Sequence, residues 1–232
     1  MEKIKGMLLD FGGTIDTNGI HWYSMFSNGY SKAHINVDDD LLRNAYVFAE
    51  RTLGRQSIIK PDYTFSRTIR EKIRLQSEFL MSQGTIISND QQNKVLDICY
   101  NSVKSNINNI SIPTLKSLNE LFPLVLVTNF YGNMHTVLKE FALDRYFMSV
   151  IESSVVGVRK PDPEIFRLGV DAIPGVKPED TVMVGDSADK DIIPSASIGC
   201  KTIRLRNQSW DESSANSDYI ITDFRELLSI IS

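Results

Sequence analysis

Leu8-Leu9-Asp10-Phe11-Gly12-Gly13-Thr14 takes the chain from an apolar run to a carboxylate and then to a pair of glycines. The run, Ile4 to Leu9, is too short for a helix and does not alternate, which suits a strand buried on both faces of a parallel sheet. Two more runs end the same way, Leu124 to Val127 at Thr128 and Thr181 to Val184 at Gly185-Asp186. Lys201 to Leu205, Tyr219 to Thr222 and a short segment from Met148 to Glu152 complete the expected strands. Helical patterns lie between them: Met134 to Phe141, Pro163 to Ile173, Asp189 to Ile198 and Phe224 to Ile230. Pro163 falls in a first turn, where proline is tolerated. Strands alternating with helices predict a doubly wound α/β fold with a mostly parallel sheet.

From about Asp16 to Ile110 the alternation stops. Asp38 to Leu53, Phe65 to Met81 and Asp90 to about Ile107 each place apolar residues on one helical stripe, and no strand pattern separates them. They predict an all-helical module inserted after the first strand, returning through the Asn-rich stretch Asn101 to Asn109 and Pro113. The chain has 232 residues, 42% of them hydrophobic, enough for one core and a smaller companion. A net charge of −4 excludes a large positive field for nucleic acid or an anionic membrane. No apolar stretch approaches the ~20 residues that cross a bilayer. The segment before Asp10 lacks the length and cleavage site of a signal peptide. Cys99 and Cys200 fit no metal or redox spacing and read as buried apolar residues. A cytoplasmic protein is expected.

Ligands of an open α/β sheet bind beyond the carboxyl ends of its strands. Asp10, Thr128 and Asp186 stand at such ends, and Lys160 lies in the loop before the helix at Pro163. A carboxylate can attack phosphorus, while a hydroxyl and backbone N–H groups hold phosphoryl oxygens. A lysine can neutralise their charge, and a second carboxylate can share a magnesium ion with the first.

Four motifs in order, Leu8 to Thr14, Val127-Thr128-Asn129, Arg159-Lys160-Pro161-Asp162-Pro163 and Val184-Gly185-Asp186-Ser187 with Asp191 beyond, resemble the haloacid dehalogenase superfamily. The resemblance implies a Rossmann-like core from residues 1–15 and 111–232, with residues 16–110 as a helical cap over the substrate. It implies a magnesium-dependent phosphomonoesterase acting on a small phosphorylated metabolite. By the same resemblance Asp10 is the nucleophile that forms an aspartyl-phosphate. Thr128 and the N–H of Asn129 hold the phosphoryl, and Lys160 balances charge. Asp10, Asp186 and the carbonyl of Gly12 bind Mg²⁺, and Asp191 supports that site directly or through water and Lys160.

Gly12 departs from the family pattern. Phosphatases resembling this chain usually carry Asp there, as acid for the leaving alcohol and base for the attacking water. Such a group typically contributes about 10²–10⁴ in rate. Asp16 and His21 are candidate substitutes, and without an acid the reaction should favour aryl or acyl phosphates. Trp22 and Tyr23, at the entrance to the helical module, are candidate substrate-lining residues.

Several rivals are weaker. Asp10-Phe11-Gly12 also spells a kinase triplet, but no glycine-rich loop precedes it. A phosphorylatable receiver needs neither the insertion nor the Gly-Asp-Ser motif. Dehalogenation needs no magnesium site. Carbon–phosphorus cleavage needs a cap lysine, and nothing marks Lys32 or Lys60. A phospho-ligand-binding protein without turnover is the remaining alternative. Arg67, Arg70 and Arg74 share one helical face with Glu71 and Glu78 nearby, which predicts a solvated, salt-bridged surface.

Overall fold

Strand β1 (Gly6–Leu9) lies inside the sheet and buries all four of its residues. Met7 and Leu9 join one apolar layer, while Leu8 joins Val125, Val127 and Met183 in another. Burying a side chain of this size contributes about 1.5–3 kcal/mol. The structure, a computed structural model, describes residues 4–207 and 216–231. Met1 to Lys3, read above as part of the lead-in to β1, lie outside the described residues.

The other strands are β2 (Leu124–Thr128), β3 (Ser149–Glu152), β4 (Thr181–Gly185), β5 (Lys201–Leu205) and β6 (Tyr219–Ile221). They form one six-stranded sheet in the order β3-β2-β1-β4-β5-β6. Every pairing is parallel. The chain builds outward from β1 through β2 to β3, then returns to the other side of β1 at β4. That reversal opens a crevice between the ends of β1 and β4. In register, Leu9 pairs with Val184, and the N–H of Asp10 donates to Val184 O at 3.0 Å. Asp10 and Asp186 therefore leave adjacent strands side by side.

Between β1 and β2 the chain makes α1 (Trp22–Lys32), α2 (Asp39–Arg55), α3 (Phe65–Ser82), α4 (Asn89–Asn106) and α5 (Ile112–Asn119). Each long inserted helix starts where its sequence supplies an N-cap. The Asp38 carboxylate accepts from the N–H of Asp40 at 3.0 Å, and Thr64 Oγ1 accepts from that of Arg67 at 3.2 Å. Ser88 and Gln91 form a reciprocal capping box. Helix α2 packs on α3, α3 on α4, and α4 on α1.

Two helices depart from the expected pattern. Helix α1 stands where the sequence was read only as an entrance, and His21 caps it by accepting from the N–H of Tyr23 at 3.1 Å. The other is α5: α4 runs through Asn106, close to the end expected near Ile107, a turn then spans Ile107–Ser111, and α5 carries Pro113 in its first turn. Asn106 stays helical because its side chain donates to the carbonyls of Ile15 and Asp16, both at 3.1 Å. Those bonds tie the helix to the first loop.

The remaining helices are α6 (Met134–Glu140), α7 (Ser153–Val156), α8 (Glu164–Asp171), α9 (Ile193–Ser197) and α10 (Leu227–Ile231). Ile165, Phe166 and Val170 of α8 cover the Leu8 face of the sheet. On the other face a single apolar cluster runs from β1 and β2 into the inserted helices. Phe65 of α3 bridges them, edge-on to Phe11 at 6.0 Å and to Phe141 at 5.4 Å between ring centroids. Among the described residues, no helix is long and apolar enough to cross a membrane.

Candidate active site

Lys160 is the centre of the charge arrangement. Its Nζ lies 2.6 Å from Asp10 Oδ1 and 2.6 Å from Asp191 Oδ1, and all three side chains are almost wholly buried. Burial alone would favour the neutral amine, but Asp10 and Asp191 outweigh it and hold Lys160 charged. Asn129 fixes the lysine's backbone from both sides. Its Oδ1 accepts from the N–H of Lys160 at 2.9 Å, and its Nδ2 donates to the Lys160 carbonyl at 3.0 Å. The Asn129 side chain is thus committed to positioning Lys160.

Asp10, Asp186 and Asp191 each offer one oxygen within 4.8 Å of the others. Burial raises the pKa of Asp10 to about 6, against the pull of Lys160. Burial and then the charges of Asp191 and Asp10 push Asp186 well above the usual carboxylate range. Three hard oxygen donors repelling one another make a set that a divalent cation would relieve. Asp191 already accepts the N–H of Ser187 on Oδ2 at 3.1 Å. With Lys160 on its other oxygen, its clearest task is to hold the lysine in place.

The turn after β1 shapes the floor. Gly13 adopts φ +93°, and a Cβ there would lie 2.3 Å from Asp186 Oδ2, so only glycine lets the loop pass beneath that carboxylate. Gly12 is different: its φ of −78° and ψ of 114° suit any L residue, and a Cβ there would meet nothing within 4 Å. Thr14 Oγ1 donates to Asp10 Oδ2 at 3.3 Å. Thr128, the last residue of β2, faces the same cavity.

A cavity of about 1100 Å³ connects this floor to the inserted helices. Of the two aromatic candidates, Trp22 lines it and Tyr23 does not. The Tyr23 hydroxyl instead donates to the carbonyl of Asp39 at 3.1 Å and to the Asp39 carboxylate. Asp16 and His21 both line the cavity. Burial raises the pKa of Asp16 to about 7, yet both its oxygens are engaged, by the N–H of Gly13 and by Trp22 Nε1, each at 2.7 Å. That geometry suits a carboxylate bracing the loop and leaves neither oxygen to pass a proton onward. Burial and then Lys190 lower the pKa of His21 to about 4, so its ring is neutral at pH 7.

Reading the sequence missed a second charged group on the cavity wall. Lys72 Nζ lies 2.8 Å from Glu50 Oε1, and Tyr131 donates to Glu50 Oε2 at 2.7 Å. Lys72 also stands over the rings of Tyr131, at 5.2 Å, and Trp22, at 5.6 Å. Burial opposes its charge, but Glu50 overrides that and holds its pKa above the usual lysine value. The available signal was a lysine on the apolar stripe of α3 beside Ile69 and Ile73. The arginine face of that helix is as expected, with Arg74 paired to Glu71 at 2.8 Å and to Glu78 at 2.6 Å.

Comparison with known proteins gives the chain relatives and a family. Glyceraldehyde 3-phosphate phosphatase from Methanopyrus kandleri is 35% identical over 127 residues, 52% of this chain and 54% of the relative. The chain thus matches only about half the length of that relative. A HAD phosphatase structure from Thermococcus onnurineus has a TM-score of 0.57 at 25% identity, covering 99% of this chain and 98% of that one. The magnesium-bound HAD-hydrolase YfnB of Bacillus subtilis, with a TM-score of 0.64 at 18% identity over both full chains, shares the fold. A family model described as a haloacid dehalogenase-like hydrolase matches residues 4–199, and the chain belongs to that family.

Proposed function

We propose that the chain is a cytoplasmic, magnesium-dependent phosphomonoesterase that acts on a small phosphorylated metabolite through an aspartyl-phosphate on Asp10. In this reading residues 1–15 and 111–232 form the catalytic core, and residues 16–110 form a helical cap. The observation that carries it is Lys160 held 2.6 Å from both Asp10 and Asp191. Asp186 joins those two carboxylates in one cluster at the end of the neighbouring strand. The relatives named as phosphatases support the reading.

Lys160 occupies Asp10 Oδ1, which leaves Oδ2 as the attacking atom. An Oδ2–P bond forms as the bond from phosphorus to the ester oxygen breaks, and the alcohol oxygen departs with the electron pair. Water then attacks phosphorus, releasing inorganic phosphate and restoring the Asp10 carboxylate. Thr128 and the N–H of Asn129 hold the phosphoryl oxygens, and Lys160 keeps positive charge beside them. Asp10, Asp186 and the Gly12 carbonyl would hold a magnesium ion, which would supply further positive charge to the phosphoryl group when bound. Neither Asp16 nor His21 stands ready to protonate the departing oxygen, so good leaving groups should react fastest.

Carbon–phosphorus cleavage fits less well, because Schiff-base chemistry needs a neutral amine and Glu50 holds Lys72 charged. The test is magnesium-dependent release of phosphate from p-nitrophenyl phosphate, measured with wild type and Asp10→Asn. The expected result is turnover lost with EDTA and lost in the variant. Activity that survives either change overturns the reading.

A further inference from the structure

The cavity has two electrostatic tiers. On its floor, Lys160 sits among Asp10, Asp186 and Asp191, and on its wall Lys72 is paired with Glu50 at 2.8 Å. Toward solvent it is lined by Arg51, Arg55, Lys60, Arg159 and Lys190, all exposed. None of these five has an ion-pair partner among the described residues. The acids that line the cavity are Asp10, Asp16, Glu50, Asp186 and Asp191, so among the described residues no further carboxylate lines the mouth. Overall composition does not account for this, since the chain carries a net charge of −4.

The cations come from both sides of the opening. Arg51 and Arg55 are one turn apart on α2 and share a face. Arg159 reaches across from the core, its Nη1 3.7 Å from where a Cβ on Gly54 would stand. Lys190 is close enough for its charge to act on both His21 and Glu50. Like charges gathered without an acid between them repel one another, and an anion among them reverses that.

This inference rests on the phosphatase reading and narrows the substrate class. We propose that the leaving portion of the substrate carries a second anionic group, a carboxylate or a phosphate, which the cations at the mouth bind while the transferring phosphoryl lies at Asp10. The transferring phosphoryl alone does not need them, because Lys160 and a divalent cation already serve it.

The experiment compares matched ligands by calorimetry on Asp10→Asn with magnesium, and by kinetics on wild type. Glycerol 3-phosphate is set against 3-phosphoglycerate for a carboxylate, and fructose 6-phosphate against fructose 1,6-bisphosphate for a second phosphate. An exposed ion pair contributes up to roughly fivefold in affinity, so two or three contacts together predict a preference on the order of tenfold for the partner that carries the second anionic group. Arg51→Gln and Arg55→Gln should each lower that preference by about threefold. Because the Debye length is about 8 Å at 0.15 M salt and shorter above it, higher salt should shrink the preference. The pair that shows it identifies the anion. Equal affinity within both pairs overturns the inference, as does a preference that both substitutions leave untouched. If wild type releases phosphate from no ester yet the affinity preference stands, the phosphatase reading fails and the anion site survives.

Discussion

In the proposed reaction, Gly12→Asp should raise the rate, and the effect should depend on the leaving group. The backbone at Gly12 already has the φ and ψ of an ordinary extended residue, and a Cβ there would meet nothing within 4 Å. The substitution therefore demands neither strain nor repacking. A carboxyl group in that space would overlook Asp10 from the cavity side, where the ester oxygen must depart. General acid–base catalysis contributes about 10²–10⁴ in rate, or roughly 2.7–5.5 kcal/mol of barrier. An alkyl phosphate such as glycerol 3-phosphate, whose alkoxide leaves badly without a proton, should gain most of this. An aryl phosphate, which departs readily as the anion, should gain about tenfold at most. The assay is steady-state phosphate release from both esters, with Gly12→Asn as a control for shape. If the alkyl-to-aryl ratio of kcat/KM stays constant in a folded, magnesium-binding Gly12→Asp variant, position 12 is not where the missing proton belongs. A gain in Gly12→Asn equal to that in Gly12→Asp would refute the reasoning equally, since an amide N–H is far too weakly acidic to protonate the departing oxygen.

Other expectations follow from the charge cluster. Lys160→Met leaves Asp10 and Asp191 facing each other without a cation, a loss of about 3–5 kcal/mol for a broken buried pair. The Asp10 carboxyl, raised to about 6 by burial even with Lys160 present, climbs further in the variant. Its penalty is therefore present at pH 8 and relieved at pH 5, and urea denaturation showing equal losses at both pH values would contradict this. In the wild type, protons compete with magnesium for Asp10 and Asp186, both of which burial pushes up, so affinity should weaken as pH falls from 7 to 5. Calorimetry finding the same Kd at pH 5 and 7 would rule that out. Gly13→Ala adds about 1–2 kcal/mol of backbone strain at φ +93° and drives a methyl into Asp186. It should weaken magnesium binding by about tenfold or more, and unchanged affinity would remove Gly13 from the site.

The sheet and the acid–lysine cluster were readable because both are local in sequence. Each strand is a short apolar run, and Asp10, Thr128 and Asp186 stand at or just past strand ends, so finding the strand finds the residue, while Lys160 stands in a short motif of its own. The reversal of strand order at β1 then brings the ends of β1 and β4 together without further instruction from the sequence. Helix α1 was harder. Trp22, Met25, Phe26, Gly29 and Tyr30 do make a buried helical stripe, but aromatics next to a motif loop read as easily as substrate contacts. Gly29 gives no pattern signal, yet a Cβ there would lie 3.1 Å from Val95 and 3.2 Å from Cys99, so its smallness lets α1 press against α4. The third inserted helix was legible almost to its end through the stripe of Val95, Leu96, Cys99 and Val103, and the bonds from Asn106 to Ile15 and Asp16 tie that end to the first loop.

The cavity wall was illegible for a reason that periodicity cannot overcome. A helical stripe says which side chains turn inward, but inward can mean core or cavity. In α3, Ile73 turns into core, while Lys72 beside it turns to the cavity edge and Glu50, and Ile69 belongs to both core and cavity wall. Tyr131, which completes that group, comes from the loop after β2, 59 residues further along than Lys72. The mouth cations are likewise split, Arg51, Arg55 and Lys60 in the inserted segment and Arg159 and Lys190 in core loops, so no window of sequence holds the cluster. Each read alone as an ordinary solvated charge. What marks them in three dimensions is the lack of acids among them, a property of the assembled opening and not of any segment. Chemistry at the strand ends is thus written locally, whereas substrate choice is written only in how the inserted helices meet the core.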